Sequence, residues 1–129
     1  MENIMIPISP GELIDKLTIL EIKLQEIKDH AKLKNIEIEY SFLSDIVNQT
    51  IGDNNQINKL RDDLKKVNKA LWNIEDDIRD CERNNNFSDR FIELARSVYI
   101  NNDKRALIKK NININLGSLL VEEKSYKKY

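Results

Sequence analysis

The chain has 129 residues, of which 40% are hydrophobic and 33% charged, with a formal net charge of −1, three glycines and two prolines. That length suits one domain, residues 1–129, with a core that needs no staples, and so little Gly and Pro leaves no turn chemistry for a many-stranded fold; the expectation is all-α. The charge balance argues against nucleic acid as a partner, and no apolar run approaches the ~20 residues that span a bilayer, so no membrane partner is expected either.

The opening MENIMIPISPGE has neither a basic nor an apolar signal region, and the single cysteine, Cys81, cannot form an internal disulfide. Both point to the cytoplasm. Asn3 to Ile8 alternates Ile4, Ile6 and Ile8, a short extended segment that must lie on helices or pair with another extended piece. Ser9-Pro10-Gly11-Glu12 then reads as a helix start: Ser9 caps, Pro10 takes the first helical position and Glu12 reaches back as the capping-box partner. The first helix runs to about Lys28 on a stripe of Leu13, Leu17, Leu20, Leu24 and Ile27, broadened by Ile14, Ile19 and Ile22.

Asp29 caps a second helix, roughly His30 to Gln49, with Leu33, Ile36, Tyr40, Leu43 and Val47 inward. Gly52-Asp53-Asn54-Asn55 breaks it. From about Gln56 to Arg83 follows the longest pattern in the chain. Ile57, Leu60, Leu64, Val67, Leu71, Ile74, Ile78 and Cys81 alternate at spacings of three and four, the a/d seam of a heptad helix. Ser88 is placed to cap a fourth helix, about Asp89 to Ile100, with Phe87 stapling onto Ile92. Asn101 or Asn102 caps a fifth, Asp103 to Leu116, stopped by Gly117. The tail from Ser118 to Tyr129 starts apolar, docked beside the Ile4–Ile8 segment, and ends charged and frayed. The architecture expected is a bundle of about five helices, with the long heptad-patterned helix as its spine and short extended termini. So long a seam exceeds what the rest of the chain can cover, and a homo-oligomer follows.

Three constellations could carry function. Arg96, Arg105 and Lys109 gather around the expected helix start at Asn102, where free N–H groups and the helix dipole favour an anion. Trp72 falls outside the seam, so it is covered by another helix, lines a pocket or meets a partner. Glu21, Glu75 and Asp76 are the carboxylates that would hold Mg²⁺ with substrate phosphates if the protein were a hydrolase of nucleotides or phosphate esters. Their spacing does not reproduce the E-x-x-E and E-x-x-D of the all-α nucleotide pyrophosphohydrolases. His30 has no ligand partner at metal spacing, Cys81 sits on an apolar seam, and no phosphate-binding glycine loop or nucleophile elbow is present.

Four blocks, Pro7 to Lys23 (PISPGELIDKLTILEIK), Ala70 to Asp76, Leu94 to Tyr99 and Val121 to Tyr126, resemble a family of small bacterial and phage proteins of unknown function. The resemblance spans nearly the whole chain. It implies a stand-alone soluble unit and brings no reaction, cofactor or catalytic residue with it. The blocks contain Lys16, Glu21, Glu75, Arg96 and Glu122, which packing alone does not require, and this favours a ligand site between the first, third and fourth helices and the tail. Lys16, Trp72 and Glu122 are therefore the residues expected to touch a ligand or partner. The reading is a binding or adaptor module for a protein partner or an anionic small molecule, working without a cofactor; Mg²⁺ enters only in the hydrolase alternative.

Overall fold

A computed structural model describes residues 1–129 and contains four helices: α1 (Pro10–Glu26), α2 (His30–Thr50), α3 (Asn55–Arg83) and α4 (Asp89–Asn115). There is no strand. Each start except that of α4 is held by its own side-chain cap. Ser9 accepts from the Glu12 N–H, Asp29 from Lys32, and Asn54 from both Gln56 and Ile57. Ser88 makes no such bond, and Phe87 packs edge-on against Phe91 at 5.3 Å.

Where five helices were expected, the last two are one. Asn101 does not cap. Its side-chain amide donates to the Ser97 carbonyl at 2.8 Å, one turn back, so the polar run Asn101-Asn102-Asp103 stays inside α4. α4 ends where predicted, with Gly117 at φ 63° and the Ser118 N–H donating to the Asn113 carbonyl at 2.9 Å.

The second correction concerns the spine. α3 carries the expected seam, with Ile57, Leu64 and Cys81 buried and its other members half-buried. Yet α3 packs on α4 and α1 only, whereas α1 packs on all three other helices. α1 is the hub, and eight of its 17 residues are buried. One side of it meets Ile57, Leu64 and Ile112 through Ile14; another meets Val47 of α2 through Leu13 and Leu17. The seam that suggested an oligomer thus packs within the chain on α1 and α4, with most of its members half-buried. Burying side chains such as Ile14 and Leu17 contributes ~1.5–3 kcal/mol each.

Gly11 lets α1 approach α4 closely. A side chain there would collide with the Lys109 carbonyl oxygen, and the Gly11 N–H donates to Asn113 Oδ1 at 2.7 Å. At the termini, Ile4, Ile6 and Leu119 are exposed, and no backbone hydrogen bonds join the two extended segments. They line a common shallow groove, but the strand-like pairing is absent. Within the tail, Leu120 and Val121 lie beside the N-terminal segment and are less exposed than Tyr126 and Tyr129, while the charged end reaches α4 through ion pairs.

Candidate functional site

α1 carries Asp15 inside its apolar stripe, and its carboxylate is 1% exposed. A buried charge is tolerated only when paired and hydrogen-bonded, and α3 and α4 supply the partners. Asn68 of α3 donates to Asp15 Oδ1 at 2.9 Å and to Thr18 Oγ1 at 3.0 Å, while Thr18 donates to the Asp15 carbonyl. Arg105 of α4 grips both carboxylate oxygens, through Nε at 2.9 Å and through Nη2. No buried side-chain polar atom is left without a partner.

One turn beyond Arg105, Lys109 extends this pair toward the tail. Its ammonium lies 2.6 Å from Glu12, 3.3 Å from Glu122 and 3.9 Å from Asp15. So Glu12 serves α4 as an ion-pair partner rather than reaching back as a capping box. Glu122 also receives Lys124 at 2.9 Å, and Lys110 reaches Glu123 at 3.3 Å. The tail is tied along α4 by charge.

The protonation states follow from these contacts. The hydrogen bond to Asp15 raises the Arg105 pKa above its already high value, outweighing burial, with the charges of Asp15, Glu12 and Glu122 adding to it. Arg105 is a permanent cation. The Lys124 hydrogen bond and the Lys109 charge lower the Glu122 pKa, and the same Glu122 bond raises that of Lys124. Tyr129 donates to Asp103 at 2.8 Å, which raises its phenol pKa, and its ring packs edge-on against Tyr99 at 5.0 Å.

Between α4 and this tail lies a cleft of about 480 Å³. Its rings are Tyr99, Tyr126 and Tyr129; its charges are Arg105, Lys109, Lys124 and Lys127 against Asp103 alone. On the far side of Arg105, a second cleft of about 520 Å³ is lined by Trp72, Glu75, Asp76 and Arg79 together with Leu71 and Ile19. Arg105 is the wall common to both.

Of the residues singled out from sequence, Asn102, Arg105 and Lys109 come together in the tail cleft. The helix N-terminus expected there does not exist, because α4 is continuous, so no free N–H groups point at that position. Arg96 is exposed on α4 and does not line the cleft. Glu122 joins through Lys109. Lys16 is exposed and borders the shallow groove between the N-terminal segment and the tail. Trp72 is half-buried and lines the second cleft with Glu75 and Asp76. Glu21 is not with them: Arg61 and Lys65 hold its carboxylate on another side of α1. No three His, Cys, Asp or Glu side chains gather in a metal-ligating group. Glu75 instead pairs with Arg79 at 3.3 Å.

Gly11, Asn68, Asn113 and the tail residues Lys124, Tyr126, Lys127 and Tyr129 escaped the sequence reading. Asp15 carried a signal, an acid flanked by Leu13, Ile14 and Leu17 in the densest apolar block of the chain. The asparagines carried none, since their partners lie 53 and 102 positions away.

The chain belongs to DUF6165, a family of unknown function, whose model matches residues 4–129. No curated protein and no solved structure matches it. No helix is long and apolar enough to cross a membrane.

Proposed function

We propose that this member of DUF6165 is a non-enzymatic binding module that takes a small anion bearing a flat ring in the cleft between α4 and the C-terminal tail. The observation that carries the reading is the lining: four basic side chains, three tyrosine rings and one carboxylate around a space of small-molecule size. Arg105 is fixed by Asp15 through two of its nitrogens, which leaves Nη1 free of protein partners. Lys127 has no ion pair, so its charge is available to a ligand without breaking a bond. The rings would stack on the flat part and the cations would hold the anionic part. The reading calls for no metal or cofactor. A cytoplasmic location belongs to it as well, supported by the lone cysteine, which is buried and unpaired.

The test is thermal unfolding with adenosine monophosphate, ribose 5-phosphate and inorganic phosphate, each with Mg²⁺ and with EDTA. A ligand at about 100 times its Kd adds ~2.7 kcal/mol of stability. The nucleotide is expected to raise the midpoint equally in both conditions, with affinity falling about tenfold in Lys127→Ala for one lost charge-assisted contact. Silence from all three anions would overturn the reading. Mg²⁺-dependent nucleotide turnover abolished by Glu75→Gln would overturn it in favour of a hydrolase.

A further inference from the structure

α2 is apolar on two faces, and only one is used. Its inner row, with Tyr40, Leu43 and Val47, packs against α1, the only helix it touches. Its outer row, Ile38, Phe42 and Ile46, falls at i, i+4 and i+8 and is 52%, 57% and 38% exposed. Isolated exposed apolar residues are ordinary, but three on successive turns of one face form a stripe. Ile38 and Phe42 floor a shallow depression that has Lys34 and Glu37 toward its N-terminal end and Asp45 at its C-terminal end. Lys34, Glu37 and Asp45 take part in no ion pair within the chain, whereas all four carboxylates of α1 do.

We infer that this face of α2 is the interface of a homodimer, covered by α2 of a second copy running antiparallel across a two-fold axis near residue 40. The register is set by the sequence. The midpoint between Lys34 and Asp45 and the midpoint between Ile38 and Phe42 agree to within about one residue, ~1.5 Å along a helix. A single axis therefore sets Ile38 against the partner's Phe42 and Lys34 against the partner's Asp45, and does each twice. Ile46 then lies over the aliphatic stem of the partner's Lys34. A parallel pairing would oppose Lys34 to its own copy and Asp45 to its own copy, so charge selects the antiparallel arrangement. The stripe is self-complementary, as an isologous interface must be. The interface is independent of the tail cleft, which lies along α4.

Sedimentation velocity of the full chain from low to high micromolar concentration tests this. The mass should rise from 15.1 kDa toward twice that value. Phe42→Glu should hold the chain at the monomer mass throughout, with an unchanged far-ultraviolet circular dichroism spectrum, since the side chain is exposed. Lys34→Asp and Asp45→Lys should each weaken association about tenfold, and the double variant should restore it. A constant monomer mass would overturn the proposal, as would a dimer that survives Phe42→Glu. A double variant no better than either single one would overturn the antiparallel register.

Discussion

α1 and α2 draw on nearly the same apolar stock and end in opposite situations. α1 has seven large apolar side chains in 17 residues and α2 has eight in 21, yet α1 buries eight residues and α2 only Val47. The difference is neighbours. α1 meets three helices and α2 meets one. Having partners on every side, α1 can bury even a carboxylate, because α3 brings Asn68 and α4 brings Arg105 to it. The side-chain bonds of α2 are local, Asp29 to Lys32 and Thr50 to Ile46. Composition makes a helix buriable; the number of elements around it decides whether it is buried, and a helix left with one neighbour keeps a face for something else.

The sharpest way to break this contrast is Asp15→Ala. It strips Asn68 of an acceptor and leaves the half-buried Arg105 cation without its carboxylate. The expected loss is ~3–5 kcal/mol in urea unfolding. A loss under ~1 kcal/mol would make α1 no more demanding than α2. Gly11→Ala probes the close approach instead: the new methyl must displace the Lys109 backbone, at a cost of about 1–3 kcal/mol on the same unfolding curve. An unchanged midpoint would mean that α1 and α4 can separate freely. At the other end, Ile38→Ala on α2, measured in dilute solution, should stay within ~0.5 kcal/mol of the parent. A drop as large as that of Asp15→Ala would show that the outer row of α2 supports the fold itself and would remove the contrast.

How far the chain could be read from its letters depended on the range of each interaction. The seam from Ile57 to Cys81 and the caps at Ser9, Asp29 and Gly117 were legible because periodicity and capping are settled within a few residues. Asn101-Asn102-Asp103 misled for the same reason: the run looks like a helix start locally, but Asn101 satisfies itself on Ser97 and the helix continues. Giving the heptad helix the role of spine weighed regularity over connectivity, and α1, less regular but broader in its stripe, turned out to touch everything. At the site, Arg105 and Lys109 were legible as cations. Their partners were not, since Asp15 and Glu12 lie far away in sequence and nothing local links them. The position of Lys127 and Tyr129 beside α4 was hidden for a further reason, that a polar, charged terminus reads as solvated whether or not it folds back on a helix.

The bond from Gly11 to Asn113 spans 102 positions, and the grip of Arg105 on Asp15 spans 90. α1 is made before α4, so α2 and α3 can cover two of its sides before the partners from α4 exist. α3 and α4 join across a short turn and can pair early, but Asp15 has no counter-ion until Arg105 has been made. Until then the side of α1 that meets α4 waits uncovered. Contacts of such long range slow folding and lengthen the time that a nascent segment is open to aggregation or to a chaperone. The arrival of α4 on α1 closes the longest-range side-chain contacts of the fold.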